Sequence, residues 1–184
     1  MIIFKSVRWK NFLSTGNVFS EIQLDASPAT LIVGANGAGK STFLDAMCYA
    51  LFDKPFRKIT KGQLVNAVNE KELVVELEFS IGSREYMVRR GRKPNVFEIY
   101  LNGEKTKEEA STLEQQKYLE QSILGLNYKS FTQVVVLGSS CFVPFMQLTP
   151  PNRREVIEDL LDIRIFSTMN GILKERVKGI RENI

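Results

Sequence analysis

Gly34, Ala35, Asn36, Gly37, Ala38, Gly39, Lys40 and Ser41 are the residues best placed to do chemistry, and together they fit G-x-x-x-x-G-K-[ST]. Such a loop bends tightly so that successive backbone N–H groups point inward at phosphate oxygens, and its glycines permit the close approach. Lys40 adds a positive charge for the β- and γ-phosphates and is the candidate catalytic residue. Ser41 offers a hydroxyl to Mg²⁺, an ion that takes few protein ligands and keeps several waters. The flanks suit this reading. Thr30-Leu31-Ile32-Val33 is a short apolar run that predicts a buried parallel strand feeding the loop. Phe43, Leu44, Met47 and Leu51 recur at helical spacing, which predicts a helix over residues 40–52 and places the phosphates at its N-terminus.

Binding phosphate is not yet hydrolysis. Turnover needs an acidic residue at the end of a second apolar strand and a group that orients the attacking water. No four-residue apolar run ends in Asp-Asp or Asp-Glu, and Ile157-Glu158-Asp159-Leu160-Leu161-Asp162, the nearest approach, carries helical periodicity and reads as a solvated helix face. Nor does the chain hold a Ser-Gly-Gly stretch able to pin a γ-phosphate from a second subunit. The chemistry is that of half an ATPase. The absence of histidine excludes a histidine base or ligand, and Cys48 and Cys141 stand too far apart for a metal-type pair, which makes a reducing cytoplasm the simplest compartment. No apolar run approaches the ~20 residues of a membrane span. A balance of 25 Lys and Arg against 21 Asp and Glu gives a net charge of +4, which favours polyanionic partners only mildly.

Further elements frame the loop. Residues 2–9 and 18–24 read as strands around a turn that contains Asn11, Phe12, Leu13 and Ser14. Residues 53–71 read as a polar connection carrying Lys54, Arg57, Lys58 and Lys61. A meander follows: Leu73, Val75, Leu77 and Phe79 alternate onto one face, Gly82 turns the chain into residues 85–90, and residues 96–101 end at Asn102-Gly103, a hairpin signal. A helix over residues 107–124 stops at Gly125, residues 133–137 read as a buried strand, and Pro150-Pro151 opens a helix through residue 163. In the tail, Phe166, Met169, Leu173, Val177, Ile180 and Ile184 step by three and four, the spacing of a coiled-coil seam or of an amphipathic helix packed on its own domain. Gly171 and Gly179 each cost about 1 kcal/mol of helix propensity, so this helix needs a partner.

This pattern of presence and absence resembles the N-terminal head segment of the SMC-like DNA double-strand-break repair ATPases of the SbcC type. Five stretches carry the resemblance: residues 4–14 with their Asn11-Phe12-x-Ser14 turn, the phosphate loop continued by Thr42-Phe43-Leu44-Asp45-Ala46, residues 123–131 (ILGLNYKSF), residues 142–146 and residues 152–163. The resemblance implies an α/β P-loop NTPase, specifically the N-terminal lobe of an ABC-type head with an antiparallel β flank, over residues 1–163, with a coiled-coil helix starting at residues 164–184. It implies ATP held by Ser14, Asn36, Gly37, Ala38, Gly39, Lys40, Ser41 and Thr42, and Mg²⁺ held by Ser41. Ser139 aligns with a glutamine that reaches the metal in the family, and Leu13 stands where the family often carries Arg. The partners implied are the C-terminal half of the same head, a second head, a nuclease subunit and double-stranded DNA, in the cytoplasm (of the host, if phage-encoded), with no membrane.

The basic residues Arg89, Arg90, Arg92 and Lys93 lie on the meander, and Lys54, Arg57, Lys58 and Lys61 follow the first helix. They read either as ordinary solvated surface or as a phosphate-contacting DNA surface without base readout. Two other functions stay open on the sequence. A complete small P-loop kinase could use Arg153-Arg154 as a lid pair, but it leaves the tail seam unexplained. A non-hydrolysing adaptor would bind through its tail helix.

Overall fold

The computed structural model describes residues 1–106, 111–136, 145–161 and 163–182. The chain divides into two compact units, Met1–Leu124 and Gly125–Ile184. In the first, six strands form one sheet: β1 (Ile2–Lys10), β2 (Ser20–Gln23), β3 (Leu73–Ile81), β4 (Arg84–Arg92), β5 (Val96–Leu101) and β6 (Glu104–Lys105), in the spatial order β2-β1-β3-β4-β5-β6. Every pairing is antiparallel. The register places Val7 opposite Leu77, Leu77 opposite Val88 and Val88 opposite Ile99, so one face is a continuous apolar stripe. Leu73, Val75, Leu77 and Phe79 are fully buried there, as their alternation predicts.

Helix α1 (Thr42–Phe52) lies on that face and buries Ala46, Met47, Tyr49, Ala50 and Leu51. It starts two residues later than predicted, with Ser41 as the flanking residue, and ends at Asp53 in the left-handed conformation, whose N–H returns to the Tyr49 carbonyl. Helix α2 (Thr112–Lys117) begins at Ser111, whose hydroxyl accepts from the Glu114 N–H, and runs into a π-helical turn, Tyr118–Leu124. The predicted start of this helix, residues 107–110, lies outside the described residues.

The opposite face of the sheet is polar. Arg8, Glu76, Arg89 and Glu98 stand in register across four strands. Arg8 and Arg89 both pair with Glu76, which leaves it buried, and Lys105 closes the row on Glu98 at 2.9 Å. Opposite charges directly across strands stabilise a sheet.

Two predicted strands do not form. Residues 30–33 carry no ladder, and Leu31 and Val33 are 85% and 78% exposed. A parallel strand is buried only when strands flank it. Among the described residues, the six strands pair with one another and offer none to this run. Of the strand predicted over 133–137, residues 133–136 belong instead to helix α3 (Tyr128–Val134) and its end, and residue 137 lies outside the described residues. Asn127 caps that helix by accepting from the Ser130 N–H at 2.9 Å, and Val134 and Val135 emerge half exposed. Without a neighbouring strand, the local cap decides the conformation of these valines.

In the second unit, helix α4 (Pro150–Leu160) packs on α3, with Lys129 reaching Asn152 and Glu155, and helix α5 (Arg164–Glu182) follows. Along α5 the seam residues Phe166, Met169, Leu173, Val177 and Ile180 are all exposed, together with Ile165 and Ile172.

Candidate nucleotide site

A cleft of about 620 Å³ opens at the start of α1. Its floor is the glycine-rich loop, contributing Asn36, Gly37, Gly39, Lys40, Ser41 and Thr42. Gly37 and Gly39 take φ of +85° and +90°, a conformation that costs a residue with a Cβ. Lys40 Nζ donates to the carbonyls of Gly34 at 2.7 Å and Ala35 at 2.9 Å, which stretches the side chain back over its own loop and leaves a third N–H. The Ser41 hydroxyl makes no capping bond to α1, although its position would allow one, so its oxygen stays open to the cleft. Ala38 does not line the cleft; its N–H donates to Ala35 O at 3.2 Å and helps close the turn.

The second wall is the turn after β1, contributing Leu13 and Ser14. Leu13 has φ of +54°, a left-handed conformation that costs a leucine about 1–2 kcal/mol. Surrounding bonds hold it there: Leu13 N–H donates to Leu64 O at 2.7 Å, and Asn66 Nδ2 donates to Leu13 O at 3.0 Å. Asn11, 1% exposed, joins the same network by donating to Asn17 Oδ1 and Glu72 O and accepting from Asn69 Nδ2 at 2.7 Å. An amide network of this depth fixes the strained turn against residues 64–69.

Arg57, Ile59, Gln63, Val65 and Ala67 make the third wall. In the sequence, residues 53–71 read as a polar connection whose basic side chains are either solvated surface or DNA contacts. One signal in it was legible: Thr60-x-x-Gln63 has the spacing of a capping box, and Gln63 Oε1 accepts from both Thr60 N–H and its hydroxyl, at the head of a 3₁₀ turn, Lys61–Leu64. Arg57 had no such signal, because its anchor, Asp45, lies on α1. The cleft therefore joins polar anion-binding groups on one side to the apolar side chains Leu13, Ile59 and Val65 on the other. Of the residues predicted to hold nucleotide, it brings together Ser14, Asn36, Gly37, Gly39, Lys40, Ser41 and Thr42; Ser139 lies outside the described residues. Cys48, on α1, is fully buried, and burial first, and the Asp45 charge second, push its thiol up to about 12.

The four residues of the predicted DNA cluster separate. Arg90 points inward and is 4% exposed, because β4 alternation puts it on the core face with Tyr86 and Val88. Its guanidinium stacks on Phe97 at 3.7 Å, donates through Nε to Ala50 O at 2.9 Å and through Nη2 to Gln116 Oε1 at 2.6 Å. Gln116 in turn donates to Leu51 O at 2.8 Å, so the pair caps the C-terminal end of α1. Burial lowers the Arg90 pKa to about 10, which still leaves it charged at neutral pH. Arg90 is thus structural, a correction to its place in the DNA cluster. Arg89 lies within 3.2 Å of Glu76 and 3.8 Å of Glu98 in the polar row. Of the four, Arg92, half-buried, and Lys93, exposed, have no carboxylate partner among the described residues.

A profile described as an AAA domain matches residues 6–176. The chain belongs to this AAA-domain family. It is 46% identical over 174 residues to exonuclease subunit 2 of Escherichia phage RB69, covering 95% of this chain and 31% of that protein. It is 31% identical over 185 residues to the DNA double-strand break repair Rad50 ATPase of Methanococcus maripaludis, covering all of this chain and 18% of that protein. The chain therefore spans less than a third of the length of these curated relatives. Among solved structures, the Smc head domain with an extended coiled coil, bound to the C-terminal domain of ScpA, from Pyrococcus furiosus matches with a TM-score of 0.66 at 23% identity, over all of this chain and 48% of that one. The fold is that of the N-terminal lobe of an SMC-like ATPase head, and the resemblance drawn from the phosphate loop and its flanking stretches is borne out.

Proposed function

We propose that this chain is the ATP-binding half of a DNA repair or recombination ATPase head, which closes against a second head on ATP and so regulates an associated nuclease at double-strand ends. The observation that carries this is the pairing of a complete phosphate cleft with an incomplete sheet: Leu31 and Val33 lead into the loop while exposed to solvent. A C-terminal half that supplied flanking strands would bury them and bring the acidic strand end that this chain lacks. In the cleft, Lys40 Nζ and the amides of residues 37–42 would hold the β- and γ-phosphates, with Ser14 and Thr42 beside them and Lys40 stabilising charge as phosphate leaves. Arg57, on the third wall, adds a second cation to the cleft. Leu13, Ile59 and Val65 offer an apolar surface of the kind that a nucleobase covers. A Mg²⁺ ion held in the cleft would supply charge neutralisation for the phosphates. The open Ser41 hydroxyl suits it as a ligand, and Ser139 is a second proposed contact. The exposed seam on α5 fits the root of a coiled coil. Arg92 and Lys93, with Arg89 at the edge, are the proposed DNA contacts of this lobe. The place of action proposed is the cytoplasm, that of the host for a phage protein.

Titration of this chain with a fluorescent ATP analogue and Mg²⁺ tests the reading. Saturable binding that Lys40→Ala removes supports it; binding unchanged by Lys40→Ala contradicts it. A complete small kinase is the weaker reading, since a self-sufficient enzyme has no use for an exposed apolar run at its phosphate loop.

A further inference from the structure

Asp45 sits in the first turn of α1, three residues after the helix begins, and its side chain is entirely buried. A buried carboxylate requires a counter-charge and hydrogen bonds to both oxygens. Among the described residues one side chain and its own backbone supply all of them. Arg57 N–H donates to Oδ1 at 2.9 Å, Arg57 Nε donates to Oδ2 at 2.6 Å, and Nη2 lies 2.5 Å from the same oxygen. The grip is side-on. It consumes the Nε edge of the guanidinium and leaves Nη1, which has no acceptor among the described residues. The Arg57 side chain is 39% exposed and lines the cleft beside Lys40 and Ser41.

We propose that Asp45 is a positioning residue that locks Arg57 into one orientation, with its free guanidinium edge presented to the nucleotide's terminal phosphates. This rests on the nucleotide-binding reading above. The lock has two parts. The backbone bond fixes where Arg57 begins, and the side-on pair fixes how its plane faces. A long side chain then loses no further rotamer freedom when an anion arrives. Arg57 also cannot swing wholly onto a phosphate, because that would strand Asp45 as an unpaired buried charge. The guanidinium therefore serves two anions at once, one on each edge, which Lys could not do.

The test is the affinity of this chain for ATP, ADP and AMP in Asp45→Asn, Arg57→Lys, Arg57→Met and the Asp45→Asn/Arg57→Met pair, with Lys40→Ala as control. Urea midpoints are read alongside. Asp45→Asn keeps the shape and loses the charge; Arg57→Lys keeps the charge and loses the fork. Each is expected to weaken ATP binding roughly 3- to 10-fold, the cost of immobilising one long side chain, while AMP affinity stays near wild type. In the Arg57→Met background, Asp45→Asn is expected to leave the ATP-over-AMP ratio unchanged. A ratio that falls equally in both backgrounds overturns the lock, since Asp45 would then act on the loop without Arg57. A wild-type ratio in Arg57→Lys and Arg57→Met overturns it as well, even if Asp45→Asn does not fold. Wild-type chain that is folded but binds no ATP would overturn the nucleotide reading and this inference together. Wild-type binding that only Lys40→Ala removes would overturn this inference alone.

Discussion

Replacing Arg90 by Met should destabilise the first unit by about 2–5 kcal/mol without touching the cleft. The magnitude follows from what the guanidinium does. Its hydrogen bonds to Ala50 O and Gln116 Oε1, each from a charged donor, contribute about 1.5–3 kcal/mol apiece. Its stacking on Phe97 at 3.7 Å adds about 2 kcal/mol in a desolvated setting. Against this stands the cost of burying the charge: the drop in its pKa from 12.5 to about 10 corresponds to about 3 kcal/mol at neutral pH. Met retains much of the apolar bulk, so the loss is chiefly polar, and it leaves the Ala50 carbonyl and the Gln116 side-chain oxygen without their donor. Urea unfolding of wild type and Arg90→Met, with the slope unchanged and the midpoint lowered, is the expected result. A difference below about 0.5 kcal/mol, the usual range for surface substitutions, would refute the structural role and return Arg90 to the surface cluster.

Three further outcomes are expected. Leu31→Ser with Val33→Ser should leave the stability of this chain nearly unchanged, because both side chains are already exposed, yet weaken its binding to a C-terminal half by about 3 kcal/mol, measured by titrating one half with the other. Lys40→Ala should weaken nucleotide binding at every Mg²⁺ concentration, whereas the Ser41→Ala loss should shrink as Mg²⁺ is raised; identical metal dependence in the two variants would contradict their assigned roles. Neutralising Arg92 and Lys93 in the assembled head should reduce the log–log salt slope of duplex DNA binding by about one per lost contact, with no dependence on sequence, and an unchanged slope would move the DNA surface elsewhere.

Legibility followed the range of the interactions. The phosphate loop, the alternation of Leu73 to Phe79, the Asn102-Gly103 hairpin and the stop at Gly125 could be read in the sequence because each depends on neighbours along the chain. Residues 30–33 and 133–136 were misread because a parallel strand depends on strands beside it, and a period of apolar residues says nothing about whether those are present. Arg57 reads in the sequence only as part of a basic run that could meet DNA, not as a residue of the nucleotide cleft, since the cleft and its Asp45 anchor exist only once the chain has turned back past α1. Arg90 could have been found: counting in twos from Tyr86 and Val88 already puts it on the buried face. Clustering by charge hid what parity showed.

The central claim is that this lobe binds ATP but completes its chemistry only with a second half. Phosphate release from Mg²⁺-ATP, measured for the purified chain alone and after adding the C-terminal half in trans, tests it most directly. Negligible turnover alone, turnover restored by the added half, and its loss in Lys40→Ala are expected. Robust hydrolysis by the 184-residue chain alone, abolished by Lys40→Ala, would contradict it.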